Sequence, residues 1–583
     1  MSSPVHPALI FILGGLLLPL IPGRGVKQAL LLCIPLAALA NLLAMSPGTY
    51  GAHTFLGYPL VFARVDKLSL CFGYAFIIVA FVSSLYALHI RNYGQHAVTF
   101  LTVGSGLGIV YAGDVFTLFV FWELLAVSSV FVVWYGKSRQ AYHAGFRYLM
   151  VHLFGGTLLL AGVAMHVLET GSTEFTRLDF GSLSSGLILI SVLINAAVPP
   201  LHAWLADAYP EASPTGSVFL TAFTTKSAVY VLLRAFPGLE LLAWLGAIMA
   251  VYGVIYALME NDIRRLLAYH IISQVGYMVC GVGLGTDLAL NGSTAHAFCH
   301  ILYKALLFMG AGAVIEVTGR SKITDLQGRD LYRTMPVCLT LYMIGAFSIS
   351  SIPLFNGFIS KPMIVAAASD LHRPLIHLLL HLASIGTFLS TALKLPYGTW
   401  FGRGRPGEQL HRVEAKEPPF NMLAAMGLLS FLCILTGLYP KLLYDLLPYP
   451  VTYAPYAAYT VVGAIQLAAF TALAFFLLRN KLKAEATISL DTDWFYRKGG
   501  VLFLRACGAF SNARSAMQNR ASRLVARLGA MSANPVLALR SGLRGGNGNP
   551  APYNADVHRQ AVGAGVMIAL IVFSFFCLVF LLR

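Results

Sequence analysis

Stretch after stretch of this chain is apolar for too long to fold in water. About sixteen runs approach or exceed the roughly 20 residues that cross a bilayer as a helix. They lie near 7–22, 26–45, 67–90, 97–112, 114–134, 143–168, 183–206, 215–236, 239–258, 266–285, 293–317, 335–369, 375–400, 420–439, 455–478 and 561–582. In hydrocarbon every backbone N–H and C=O must be satisfied internally, which leaves helices or closed barrels. Continuous runs without period-2 alternation select helices. The expectation is an all-α polytopic membrane protein of about 16 transmembrane helices, in keeping with 57% hydrophobic and 11% charged residues over 583 positions. The first run lacks a small-residue cleavage pattern and reads as a retained helix.

Against that background a few ionisable residues stand out. Glu123 lies in GDVFTLFVFWELLAVSSVFVVW (113–134), Lys226 in GSVFLTAFTTKSAVYVLLRAF (216–236), and His296, His300 and Lys304 in STAHAFCHILYKALLFMGAGAVI (293–315). Lys361 follows the run SSIPLFNGFISKPMIV (350–365). A charge at mid-bilayer costs at least about 2.5–3.5 kcal/mol, so such residues normally face a wet interior and serve a function. The default reading is a path for protons or small cations. His296, His300 and Lys304 recur every four residues, on one helix face at about 6 Å per step. Each has a duller reading. Glu123 neutralises a buried lysine, Lys226 snorkels, the histidines bond neighbouring helices, and Lys361 caps the carbonyls of a broken helix. Lys394 anchors its span at the interface, and Asp114 marks a span end.

The net charge of +16 is not a nucleic-acid footprint. Basic residues such as Arg24, Lys137, Arg264, Arg265, Arg320 and Lys322 crowd into alternate loops, while the others hold little more than Arg64, Lys67, Arg177, Arg234, Arg373 and Lys441. The positive-inside rule makes the rich side cytoplasmic and puts both termini outside a bacterial-type inner membrane, with anionic lipids as partners. The eight cysteines include no C-x-x-C spacing, and no G-x-G-x-x-G or Walker loop occurs. No cofactor, metal or redox centre of the chain's own is expected, so it is not expected to be an enzyme.

Two apolar runs are interrupted alike, NAAVPPLHAWLADAYP (195–210) and SSIPLFNGFISKPMIV (350–365). Broken helices in corresponding places mark transporters built from repeats, with ion sites at the breaks. The organisation expected is helices 1–3 over 1–96, a first repeat (helices 4–8) over 97–236 and an inverted second repeat (helices 9–13) over 237–402. Helices 14–15 follow over 403–484, then a lateral amphipathic helix with its linker over 485–555, and a terminal anchor over 556–583. The stretch 493–530, with Arg514, Arg520, Arg523 and Arg527 at helix-like spacings, reads as a helix on the cytoplasmic face. The Gly/Pro/Asn-rich linker is 541–554.

At these residues the chain resembles the antiporter-like family shared by Mrp cation/proton antiporters (subunits A and D), complex I subunits L, M and N, and membrane-bound hydrogenases. The likeness covers roughly 60–440. It runs through VDKLSLCFGYAFIIVAFVSSLYALH (65–89), PLHAWLADAYPEA (200–212), NDIRRLLAYHIISQVGYM (261–278), HAFCHILYKALLFMGAGAVIEVTG (296–319) and IPLFNGFISKP (352–362). DAYPEA and the TTK of span eight look closer to the Mrp D type, and the long helix with its terminal span to the L type. The resemblance implies path roles for Glu123, Lys226, His296, His300, Lys304 and Lys361, and identifies Asp262 with Arg264 as the D-I-[KR] start of span ten. His202 and Lys394 are secondary candidates. Where the family carries a lysine five residues before the proline of P-L-H, this chain has Asn195. Asn195 is expected to hydrogen-bond, or to help hold a transient Na+ near Glu123, and Lys226 is left as the basic partner of that half.

The expected function is a proton-translocating, antiporter-like subunit of a multisubunit Mrp-type Na+/H+ antiporter, working with other membrane subunits. The alternatives are the proton-pumping arm of a complex I-like NADH:quinone oxidoreductase or hydrogenase, or the membrane partner of an inorganic-carbon uptake complex. In a different class stands a scaffold that no longer transports.

Overall fold

The computed structural model of the chain describes residues 5–55, 57–402, 415–479, 481, 490–533 and 562–581. The linker 541–554 lies outside them. Two compact units are distinguished, Met1–Asp493 and Trp494–Arg583.

In the first unit the helices are α1 (Pro7–Leu17), α2 (Arg24–Leu43), α3 (Lys67–Tyr86), α4 (Tyr93–Tyr111), α5 (Val115–Trp134), α6 (Arg139–Thr170), α7 (Leu183–Asn195), α8 (Ala203–Ala208), α9 (Pro214–Ala235), α10 (Glu240–Met259), α11 (Ile263–Leu284) and α12 (Asp287–Thr318). There follow α13 (Pro336–Ile349), α14 (Lys361–Asp370), α15 (Pro374–Phe401), α16 (Phe420–Leu438) and α17 (Ala458–Leu478), with a few single-turn helices between them. The second unit contributes α18 (Asp493–Ala533) and α19 (Val562–Leu581). Twelve helices among the described residues are long and apolar enough to cross a membrane, and α1, α7 and α13 are shorter apolar ones. Side chains of α18 from Val501 to Gly529 are exposed.

Local chemistry fixes the ends. Asp66, Asn92, Asp114, Ser138, Ser182, Ser213, Asp262 and Thr286 each cap a helix by accepting a backbone N–H, satisfying donors that hydrocarbon would leave bare. One element the apolar pattern did not foretell is an antiparallel hairpin, β1 (Gly48–Phe55) with β2 (Tyr58–Val65), Gly48 opposite Val65. It lies in the connection between α2 and α3, where each strand is eight residues long, well short of a span.

The core is built on α9, α11 and α12, buried along almost their whole length. α10 lies against α11 with backbones nearly touching. A Cβ on Gly246 would come within 2.2 Å of Cys280 N, and one on Gly276 within 2.6 Å of Ala250 N. Small residues permit such approach between membrane helices.

Both interrupted runs are broken helices, and their breaks share one backbone pattern. After α7, Ala196 N, Ala197 N and Val198 N donate to the carbonyls of Val192, Ile194 and Leu193. After α13, Ser350 N, Ser351 N and Ile352 N donate to those of Ala346, Ser348 and Phe347. The turn residue is left-handed in each, with φ 58° at Ala197 and 57° at Ser351. A non-glycine residue there costs on the order of 1–3 kcal/mol and persists only where its surroundings enforce it.

Candidate functional site

The ionisable residues singled out from the sequence fall into two groups, one around α5, α7 and α9, the other around α11, α12 and α14. Glu123 projects from α5 toward α6 at Gly156, where a Cβ would stand 1.6 Å from its Oε1. The glycine is therefore the space the carboxylate occupies. Oε1 is buried without a hydrogen-bond partner, as is Oδ1 of Asn195, the last residue of α7. Neighbouring Gly155 faces Ile194, so adjacent glycines of α6 receive the two segments that carry these oxygens. Lys226 is fully buried, and its ammonium donates to Thr221 O at 2.6 Å and Thr225 Oγ1 at 3.0 Å on its own helix. It does not reach Glu123: among the described residues no ion pair contains Glu123, Lys226, Lys304 or Lys361.

The second group is a buried polar row, hydrogen-bonded in part. His296 and His300 stand on one face of α12, ring centroids 6.2 Å apart, the one-turn step expected from the spacing. His296 bonds Ser360 Oγ (3.1 Å) through Nδ1 and Gln274 Oε1 (3.2 Å) through Nε2, with Tyr303 OH 3.4 Å from Nε2. Gln274 continues to Thr387 (3.3 Å), and one turn back His270 meets Ser390 at 2.6 Å. Both ring nitrogens of His300 and the ammonium of Lys304 are buried without partners. A bare buried polar atom costs about 1–3 kcal/mol, more when charged, so these are the groups with most to gain from water or an arriving proton. Lys361 opens α14. Its ammonium donates to Ile349 O (2.7 Å), sits 5.0 Å from the centre of the Tyr277 ring, and borders a cavity of about 410 Å³ also lined by Asp370, His377, His381 and Tyr459. Capping and cavity-lining are thus combined in one residue.

The secondary candidates mostly hold helix ends. Asp262 Oδ1 accepts Arg264 N and Arg265 N at the start of α11, and Arg264 ties that start to Ala212 O (2.6 Å) and Ser217 Oγ (3.2 Å). Lys394 lies in a π-helical stretch of α15 and donates to the carbonyls of Leu258 and Glu260, closing the end of α10. Asp114 caps α5. His202, at the first break, bonds Asp491 at 3.2 Å.

Sequence reasoning missed His270, Gln274 and Ser360. For the first two a signal existed: AYHIISQVGYM places His270 and Gln274 at i, i+4 in an apolar helix, the same signature that drew attention to His296 and His300. It also missed Asp491, which reads as an ordinary polar residue before a surface helix. Among the described residues no three His, Cys, Asp or Glu side chains are grouped to hold a metal.

Residues 112–390 match the family described as NADH:quinone oxidoreductase/Mrp antiporter, transmembrane. The chain is 30% identical over 420 residues to an uncharacterized protein of Methanocaldococcus jannaschii, covering 67% of this chain and 86% of that one. It is 31% identical to hydrogenase-4 component B of Escherichia coli over 64% of its own length, but spans only 62% of that protein. In fold it is similar to a chain of the Mrp complex from Dietzia, with a TM-score of 0.67 at 23% identity over 80% of this chain and 98% of the other.

Proposed function

Because this chain belongs to the NADH:quinone oxidoreductase/Mrp antiporter family of membrane subunits, we propose that it conducts protons through its two buried groups as one subunit of an Mrp-type Na+/H+ antiporter. The observation that carries this is the buried polar row from His270 and Gln274 through His296 to Ser360 and Lys361, with unpartnered His300 and Lys304 beside it. Such a row has a large desolvation cost and no packing reason to exist. Desolvation lowers a lysine and raises a carboxylate toward ambient pH, so a small change in hydration changes which group holds the proton. The unpartnered oxygens of Glu123 and Asn195 support a transient Na+ site in the first group. The shared turn geometry of the two breaks supports inverted repeats over 97–236 and 237–402. Partner subunits, the cytoplasmic placement of α18 and an outward position of both termini belong to the same reading.

A second reading is favoured by the hydrogenase-4 relative: the same residues pump protons in a redox-driven assembly. Everted vesicles containing the chain with its co-expressed partners separate the two. Na+ addition dissipates an imposed pH gradient in the first case. Acidification driven by a reduced substrate, with no response to Na+, would replace the first reading by the second.

A further inference from the structure

Asp491 comes two residues before α18 and belongs to the first unit. Here the chain enters the bundle: Tyr256 OH donates to Leu490 O (3.0 Å), and Thr492 Oγ1 donates to Pro200 O (3.2 Å). Between them the Asp491 carboxylate is 8% exposed and accepts four donors. These are Tyr252 OH (2.6 Å), Tyr269 OH (2.5 Å), His202 Nε2 (3.2 Å) and the N–H of Thr492 (2.6 Å). Tyr252 lies seven residues before the end of α10 and Tyr269 six after the start of α11. His202 is fully buried, its ring edge-on to Tyr252 at 4.7 Å, and its Nδ1 has no partner.

A carboxylate only accepts, so Nε2 of His202 carries the hydrogen and Nδ1 presents a bare lone pair. Burial opposes ionisation of Asp491, but the bonds from His202, Tyr252 and Tyr269 outweigh it and hold the carboxyl below the usual carboxylate range. His202 is the only donor of the four able to become a cation. A tie serving only to fasten the chain would be complete with the tyrosines, and would leave no reason for a buried imidazole with one nitrogen open. Other charges within electrostatic reach come from every side. Glu260 bears on Tyr269 from the α10–α11 turn and Arg265 from the start of α11, while Asp207 of α8 is held by Arg147 of α6 at 2.6 Å.

Resting on the reading that this chain moves protons, we infer that His202 and Asp491 form an additional proton-binding pair where the first broken helix meets α10 and α11. His202 takes the proton at Nδ1 and becomes imidazolium. Asp491 is a positioning residue that orients the ring and balances its charge.

The test uses the full chain with its partners. Infrared difference spectra between alkaline and acidic buffer should contain an imidazolium signal that disappears in His202→Gln and shifts in Asp491→Asn. In vesicles, both variants should lower exchange about tenfold (about 1.4 kcal/mol) and lose the same step of the pH–rate profile. The double variant should be no worse than either single one, because the two act as a unit, and Asp491→Glu should restore the step. Tyr252→Phe, which removes a donor but no charge, guards against misfolding and should leave the imidazolium signal in place. Wild-type spectra and pH profile in Asp491→Asn, or a loss that follows protein amount alone, would overturn the inference. If the wild type itself showed no exchange, the transport reading would fail, while the infrared signal would still decide the pair.

Discussion

The two broken helices share a backbone and differ in chemistry. Each ends in the same three hydrogen bonds and one left-handed residue, Ala197 or Ser351. At the first break the carbonyl of Ile194 is taken by the indole N–H of Trp204 (2.9 Å), a neutral donor. At the second, the carbonyl of Ile349 is taken by the ammonium of Lys361 (2.7 Å). The break is therefore a backbone device that exposes carbonyls at membrane depth whatever group answers them. On the proposed reading, proton chemistry depends on that answering group. The second half supplies it within the break, whereas in the first it is distributed over Glu123, Lys226 and the polar groups around Asn195 and His202.

The largest effect should come from removing the one carboxylate of the first group. Glu123→Gln is expected to abolish cation/proton exchange, by at least about 100-fold on the scale of lost acid–base groups, while the chain still inserts and assembles. Exchange in everted vesicles measures it, and wild-type rates would erase the distinction between the halves. Next comes a matched pair at the breaks. Lys361→Met should lower exchange about tenfold or more, whereas Trp204→Phe should cost only about 1 kcal/mol of stability through the lost indole bond to the Ile194 carbonyl, which keeps its bond from Ala197 N, and leave exchange within about twofold. Equal transport losses would show that both breaks serve only architecture. Within the first half, Lys226→Ala should be about tenfold more damaging than Asn195→Ala (about 1.4 kcal/mol), since of the two only the lysine can carry a proton. Equal tolerance of both would favour the scaffold reading. The smallest effect is expected at Lys394: its ammonium closes α10, so Lys394→Ala should lower the melting temperature by the equivalent of about 1 kcal/mol and leave the exchange rate unchanged.

Much of this was legible because the bilayer is a severe solvent. Apolar length located the helices, and the cost of a buried charge located Glu123, Lys226, Lys304 and Lys361. Proline within apolar runs located both breaks. What stayed hidden depended on partners. Lys394 and Lys361 look alike in sequence, yet one closes α10 and the other borders a cavity. The π-helical turns of α15 shift side chains by a fraction of a turn that no periodicity announces. Gly156 is one of 54 glycines, and its role as the seat of Glu123 exists only once α5 and α6 are packed.

The bond from His202 to Asp491 joins positions 289 residues apart, and that has a consequence for biosynthesis. At roughly 5–20 residues per second, a ribosome takes on the order of 15–60 seconds to travel from one to the other, so His202 is threaded into the membrane long before its carboxylate is made. The first half must insert without that partner. Its counter-charge arrives only when translation has nearly finished, so a chain that stalls or is clipped at residue 485 has every preceding span and an unfinished centre. A cut after Asp493 instead would remove α18 and the terminal span while keeping the carboxylate. Comparing the two lengths therefore separates what the final helices do from what the residue just ahead of them does.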